Sequence, residues 1–158
     1  MTELQSLKKS LYSQEWKDSL EAADRLAELQ SNEAIEVLVE ALMSDNNFIR
    51  NAASLGIREA NNPTASTALF KRIKELGTNE EIGTMVYSLE TADCSRDLLA
   101  IINLYFEGNY EVKVSAKTIL EEQVFVLSHK ELQAVKQRLK QEGTTIDDLR
   151  IKFTTNEA

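Results

Sequence analysis

Apolar and polar residues alternate along the chain with the period of amphipathic helices, and short polar breaks separate the helical stretches. The stretch from Trp16 to Leu29 shows the pattern most clearly. At about 100° per residue, its apolar residues fill one half of the helix circumference and its charged residues fill the other half. The apolar half, which we expect to lie in the core, consists of Trp16, Leu20, Ala22, Ala23, Leu26, Ala27 and Leu29.

The breaks contain residues that begin and end helices. Asn32 and Asn62 each precede a helical stretch and can accept hydrogen bonds from the free amides of its first turn. Pro63 is suited to the first helical position, because the amide that it lacks has no partner there. Three glycines follow helical stretches, where a left-handed residue is needed: Gly77, Gly108 and Gly143. The pattern predicts helices at 3–12, 15–30, 33–44, 47–60, 63–76, 79–91, 95–107, 110–123 and 128–142.

The helical pattern repeats along the chain. Equivalent positions in the second helix of each predicted pair are Leu20, Ile49, Ile82 and Val112, which are 29, 33 and 30 residues apart. A period of about 31 residues is typical of arrays of helix pairs. Because one helix pair cannot bury both of its faces, we expect neighbouring pairs to stack around a shared core.

The clearest repeat reads Ala34-Ile35-x-x-Leu38-x-x-x-Leu42-x-x-Asp45-x-x-x-Ile49-Arg50-x-x-Ala53-x-x-Gly56. It resembles the armadillo-like HEAT-repeat family, in particular the short bacterial form found in phycobilin lyases, over about residues 3–142. The resemblance implies an all-α fold, a right-handed α-α superhelix or HEAT-like solenoid of about four to five helix pairs in residues 1–142.

In that family, the Asp and the following Arg form a ladder between repeats, which implies structural roles for Asp45 and Arg50. Two later repeats depart from the motif. Gly83 stands where the Arg falls in the third repeat, and Lys113 in the fourth repeat has no Asp ahead of it. Residues 143–158 leave the pattern, and we expect a partly disordered C-terminal extension with one short turn capped by Thr145.

Composition supports a helical protein with little catalytic chemistry. The 158 residues include one Pro and five Gly, which are too few for the turns of a sandwich or barrel. His129 and Cys94 are each the sole residue of their type, so neither a catalytic triad nor a nitrogen and sulfur metal site can be completed. We expect His129 to be structural and Cys94 to be an inert thiol, although a nearby helix start could lower the Cys94 pKa. We predict no enzymatic activity, metal or cofactor.

Cys94 also bears on location, because a single cysteine cannot form an internal disulfide and fits a reducing compartment. The N-terminal residues Met1-Thr2-Glu3-Leu4 do not resemble a signal peptide. The longest apolar runs, Leu98 to Ile102 and Val124 to Leu127, are too short to cross a bilayer. We therefore expect a cytoplasmic protein without a membrane partner.

Charge is concentrated near the N-terminus. The formal net charge is −8, and Glu15 to Asp45 contains nine acidic and two basic residues. Such a charge disfavours direct nucleic-acid binding, which depends on lysine and arginine. It predicts either a solvated helical face or a surface that attracts a basic protein.

In arrays of this kind, the second helix of each pair usually lines the concave side. The predicted partner-binding residues on or near that side are Asp18, Glu21, Arg25, Glu28, Asn51, Arg58, Tyr87, Lys113 and Lys117. Candidate aromatic anchors are Tyr87, Tyr105, Phe106 and Tyr110, of which we expect Tyr110 to be the most exposed.

The favoured function is that of a non-catalytic protein-binding repeat protein, a monomer or weak dimer that masks or scaffolds a partner through its acidic concave face. The most specific hypothesis is an immunity protein that neutralises a basic nuclease toxin. In size, acidity and lack of catalytic groups the chain resembles bacterial immunity proteins, some of which have HEAT-like folds. The alternative is a scaffold or lyase-related subunit that assists assembly of a partner protein. An enzyme of unknown type is the third possibility.

Overall fold

The computed structural model describes residues 1–156. Glu157 and Ala158, which belong to the predicted C-terminal extension, lie outside the described residues. The chain is mostly helical, as predicted, with 66% helix. Residues 1–156 contain nine helices and one two-stranded parallel sheet, which the sequence pattern did not predict. Contacts divide the chain into two compact units, residues 1–92 and 93–158.

The first unit is built from three consecutive helix pairs. Helix α4 packs against both α2 and α6, and α3 contacts both α1 and α5. The second helices of the pairs therefore form one layer and the first helices form another. The bounds are α1 Glu3–Leu11, α2 Trp16–Leu29, α3 Asn32–Ala41, α4 Asn47–Ala60, α5 Pro63–Leu76 and α6 Gly83–Ser88.

Helix starts in this unit follow local capping chemistry. The prediction for α5 is confirmed: Asn62 Oδ1 accepts from the Ala65 amide at 3.1 Å, and Pro63 is the first helical residue. The prediction for α3 is wrong by one residue, because Ser31 Oγ accepts from the Ala34 amide at 3.1 Å and Asn32 already lies in the helix.

Two of the three glycine predictions are confirmed, since Gly77 and Gly143 have φ angles of 76° and 73°. Gly108 is different: its backbone is extended, with φ −75° and ψ 164°. A side chain at Gly108 would overlap that of Val112 and lie 2.7 Å from the Leu104 carbonyl. Close packing at the start of the following helix, rather than a left-handed turn, explains this glycine.

A close approach between α2 and α4 organises the first unit. A Cβ atom added to Gly56 would lie 2.9 Å from Leu38 Cδ2, 3.0 Å from the Ala23 carbonyl oxygen and 3.1 Å from Ala23 Cβ. Both Gly56 and Ala23 are buried. The two helices can pack at this separation because neither residue has a larger side chain at the contact.

Two arginines hold the loop between α3 and α4. Buried Arg50 donates from Nη1 to the Ser44 carbonyl at 2.9 Å, and Arg72 of α5 donates from Nε to the Leu42 carbonyl at 2.9 Å. Arg50 thus has a structural contact, but its partner is the Ser44 carbonyl and not the exposed Asp45 carboxylate.

The second unit contains α7 Leu98–Glu107, α8 Tyr110–Glu122, β1 Val124–Leu127, α9 His129–Gln141 and β2 Lys152–Thr155. Helix α7 packs on α8 and α9, and α9 also contacts β1. Arg138 of α9 donates from Nε to Asn103 Oδ1 of α7 at 2.8 Å and lies over the Phe106 ring. The buried side chains of Phe125 and Leu127 attach the sheet to the core of this unit.

The two strands replace structure that the sequence pattern read as a break and a tail. They pair in parallel, with Phe125 opposite Phe153 and Leu127 opposite Thr155. Between α9 and β2, the predicted Thr145 cap is present, since its Oγ1 accepts from the Asp148 amide at 3.0 Å. None of the helices within residues 1–156 is long and apolar enough to cross a membrane.

We expect Gly56→Val to lower the free energy of unfolding by about 1–3 kcal/mol, because the added atoms overpack the contact between α2 and α4. Urea unfolding followed by circular dichroism measures the change. The control is Thr67→Val on the exposed surface of α5, where we expect a change within about 0.5 kcal/mol. Equal stability of Gly56→Val and the unaltered protein would contradict the packing argument.

Candidate protein-binding surface

The N-terminal acidic residues lie on the surface of the first unit. Three of the nine acids from Glu15 to Asp45 have a basic neighbour: Glu21, Glu28 and Glu40 pair with Lys17, Arg25 and Lys8. Within the described residues, the other six form no ion pair: Glu15, Asp18, Asp24, Glu33, Glu36 and Asp45. Much of the charge is therefore uncompensated.

Two residue pairs bridge α2 and α4. Near the helix starts, the Trp16 and Phe48 rings form an edge-to-face pair with centroids 6.1 Å apart. Further along, the Asp24 carboxylate lies close enough to Glu59 for the charge of Glu59 to repel it. The first pair is aromatic and the second is acidic, so the two helices present different chemistry at the two positions.

Helical spacing places both pairs along one line. Trp16, Leu20 and Asp24 follow each other at four-residue intervals on α2, and Phe48, Leu55 and Glu59 share one side of α4. We call these six residues the α2–α4 seam. Half-buried Leu20 and Leu55 lie between its ends. At 1.5 Å per residue, the aromatic and acidic ends are about 12 Å apart along α2.

The aromatic end of the seam is unusually open. Phe48 is 64% exposed and Trp16 is 41% exposed. Trp16 therefore departs from the prediction that it lies in the core. The ring is at the edge of the apolar half of α2, next to α4, where it packs on Phe48 instead of on the interior. Large exposed aromatic groups of this kind are typical anchors in protein interfaces.

The acidic end of the seam is electrostatically strained. Partial desolvation raises the pKa of Asp24, and repulsion from Glu59 and Glu28 raises it further. Asp24 and Glu28 are one helical turn apart, where like charges destabilise a helix. Ionised Asp24 therefore lowers the folding stability of the protein without a bound partner, and it places a negative charge on the surface.

Four predicted binding residues lie on α2, and all are exposed: Asp18, Glu21, Arg25 and Glu28. Arg25 contacts Glu3 of α1 at 2.9 Å and Glu28 at 3.2 Å, and these hydrogen bonds raise its pKa. Glu21 lies 3.8 Å from Lys17. The charges of Glu21 and Glu28 are thus partly neutralised, whereas Asp18 has no cation beside it among residues 1–156.

Three predicted residues lie on α4 and α6. Arg58 donates from Nη1 to the Tyr87 carbonyl at 2.7 Å, and its guanidinium carbon is 4.2 Å from the Tyr87 ring centroid. The structure thus joins Arg58 and Tyr87 into one group, with Tyr87 43% exposed. Asn51 is half-buried and its Oδ1 is enclosed.

The remaining predicted residues, Tyr110, Lys113 and Lys117, lie on α8 in the second unit. All three are exposed; Tyr110, at 81%, is the most exposed of the candidate aromatic anchors, as predicted. The other two anchors, Tyr105 and Phe106, are half-buried and form an edge-to-face pair with centroids 4.9 Å apart.

Sequence reasoning proposed none of the six seam residues as binding residues, and it assigned Trp16 and Leu20 to the core. The four-residue spacing of Asp24 and Glu28 was a visible signal of like-charge repulsion. Phe48 and Glu59 could be recognised only once α4 was placed against α2, because their partners are distant in sequence.

The pKa of the Cys94 thiol is raised, whereas its sequence position near a helix start suggested that the pKa could be lowered. Burial, assisted by the Asp97 and Asp93 charges, raises the pKa of its thiol to about 12, although a hydrogen bond with Gln123 acts in the opposite direction. Helix α7 begins only at Leu98, so the thiol is not at its first turn. Among residues 1–156, no three His, Cys, Asp or Glu side chains are grouped to hold a metal ion.

We expect Asp24→Asn to raise the free energy of unfolding at pH 7 by about 0.2–0.5 kcal/mol, because it removes repulsion from Glu28 and Glu59. Since the folded-state pKa of Asp24 is raised, its ionisation destabilises the protein, and the gain should disappear below its ordinary pKa of 3.8. Urea unfolding at pH 7 and pH 3 tests both statements. The control Asp18→Asn, in the first turn of α2, should instead lower stability slightly.

We expect Cys94 in the folded protein to react with a maleimide at least about 100-fold more slowly than in denaturing guanidinium, because the thiolate is the reactive form. Mass spectrometry at pH 7.5 measures both rates. Stability should also fall as the pH rises from 9 toward 12, since the unfolded thiol ionises first. Equal labelling rates in the two states would contradict the assignment.

Comparison with protein-family models and with curated proteins finds no match to the chain. The surface described above therefore stands on its geometry and electrostatics alone.

Proposed function

We propose that the protein is a non-catalytic binding module whose α2–α4 seam receives a basic protein partner. One observation carries the proposal. An exposed aromatic pair and a pair of carboxylates without a basic partner in the described chain lie on the same two packed helices. Such a surface offers an apolar anchor and a negative charge to one ligand.

The energetics of Asp24 favour a binding role over a purely solvating one. A carboxylate that only keeps a protein soluble gains nothing from facing a second carboxylate. A cationic side chain close to both Asp24 and Glu59 would offset their repulsion and lower the raised pKa of Asp24. Binding of a lysine or arginine at this position would therefore stabilise both partners.

The most specific form of the proposal is an immunity protein that masks a basic nuclease toxin. A nuclease presents lysine and arginine side chains to the nucleic-acid backbone. An acidic surface on packed helices can occupy the same groups, and long-range attraction accelerates the encounter. The single cysteine, whose thiol is buried, supports the further proposal that the protein acts in the cytoplasm.

We also propose that the first unit is a HEAT-like array of the right-handed superhelical type. Three features support this interpretation: the period of about 31 residues, the stacking of α2, α4 and α6 in one layer, and the close contact of Gly56 with Ala23. Each helix pair covers an apolar face of its neighbour, as repeat architectures require.

The test is calorimetric titration with catalytically inactive basic nuclease domains, including any that a neighbouring reading frame encodes. We expect Asp24→Asn combined with Glu59→Gln to weaken binding about tenfold or more at 50 mM NaCl, and less at 300 mM because salt screens the charges. Trp16→Ala should weaken binding at both salt concentrations, because its contribution is apolar.

The matched control is Glu33→Gln combined with Glu36→Gln, which removes two unpaired surface carboxylates from α3 in the other layer. We expect this variant to bind like the unaltered protein. Equal effects of the two double variants would show that net charge alone matters. Binding that is insensitive to salt and to all these substitutions would refute the acidic-seam proposal and favour the scaffold alternative.

A further inference from the structure

Strand β2 leaves one edge of the small sheet unpaired. The Asn156 amide donates to the Leu127 carbonyl at 2.8 Å. Because amides point to alternate sides along a strand, those of Phe153 and Thr155 point away from β1. Neither amide has a hydrogen bond within the described part of the chain.

The opposite edge of the sheet is already in use. On β1, the Val126 amide donates to the Ser95 carbonyl at 2.9 Å. Any further strand must therefore pair with β2, whose Lys152, Thr154 and Thr155 are exposed. A two-stranded sheet with a free edge is the arrangement to which extended peptides add.

A cavity of about 590 Å³ adjoins this edge. Phe153 lines it, and the register places Phe153 beside buried Phe125 on the same face of the sheet. A third strand would continue that face, so its alternate side chains would enter the cavity. The other side chains that line the cavity include the apolar Leu139 and Ile146 and the charged Lys136, Lys140 and Asp147.

The charged side chains around the cavity indicate which kind of segment can bind beside β2. Lys136 and Lys140 are exposed and form no ion pair within residues 1–156. Among the same described residues, Asp147 is the only acidic one that lines the cavity. A second copy of the chain paired through β2 would bring Lys136, Lys140 and Lys152 toward their own counterparts, which is unfavourable. An extended segment with carboxylates beside an apolar side chain complements the cavity instead.

We propose that the free edge of β2 is a second docking site, which binds an extended acidic and apolar segment of a partner protein as a third strand. The bound segment exchanges main-chain hydrogen bonds with Phe153 and Thr155 of β2. One of its apolar side chains fills the cavity, and its carboxylates face Lys136 and Lys140. This site belongs to the second unit and does not depend on the acidic seam of the first.

Selection of displayed random ten-residue peptides on the full chain tests the proposal. Thr155→Pro is the blocking variant, because it removes an outward amide and leaves the residue before it extended, as a strand requires. The matched control Thr155→Val keeps the amide. We expect selected peptides to carry acidic and apolar residues and to bind Thr155→Pro about tenfold or more weakly, but Thr155→Val normally.

Two further measurements locate the peptide. Hydrogen exchange should show protection of the Phe153 and Thr155 amides when a selected peptide binds. Lys136→Glu combined with Lys140→Glu should weaken binding about tenfold, whereas Lys130→Glu at the start of the same helix should not. Circular dichroism melts of each variant separate loss of binding from loss of folding.

Three results would overturn the proposal. The first is no enrichment of peptides on the unaltered chain above that on a folded Thr155→Pro variant. The second is binding of selected peptides that is indifferent to the lysine reversals. The third is a dimer in sedimentation experiments that Thr155→Pro dissociates, which would make a second copy the occupant. None of these results bears on the α2–α4 seam.

Discussion

The missing side chain at Gly56 is the constraint on which the first unit depends. Because Gly56 leaves room for Ala23 and Leu38, α2 and α4 pack at a short separation along their length. That separation brings Trp16 to Phe48 and Asp24 to Glu59 across the same helix boundary. A core contact between small residues thus determines the chemistry of the surface above it. The buried packing and the candidate binding surface are two sides of one contact.

The same contact produces a conflict between stability and surface charge. Close helices lower the distance between carboxylates as well as between apolar groups, and Asp24 responds with a raised pKa. Elsewhere on α2, Arg25 compensates its acidic neighbours through contacts with Glu3 and Glu28. Asp24, at the acidic end of the seam, has no such compensation within the described chain. Residues that oppose folding stability in this way are concentrated at functional sites, because a ligand can supply what the fold omits.

Helix existence could be predicted from sequence because it depends on local periodicity and capping. The bounds of α4 and α5 agree with prediction to the residue, and Pro63 with Asn62 explains one of those starts. The strands could not be predicted, because Val124–Leu127 is a four-residue apolar run whose partner lies 28 residues away. The α2–α4 seam could not be predicted for the same reason, because its contacts join residues that are distant in sequence. Amphipathic patterns identify which side of a helix is apolar, but they do not identify which residues lie at the border with a neighbouring helix.

The parallel sheet explains why the segment after α9 becomes ordered and why its edge remains available. A strand that follows a helix can return beside the strand before that helix, as β2 does beside β1. Two strands are marginal by themselves, so the pair depends on burial of Phe125 and Leu127 against the helices. Phe153 lies beyond that cover and is only half-buried. The sheet is therefore anchored on the β1 side and incomplete on the β2 side, and a third strand would complete both its hydrogen bonding and its apolar face.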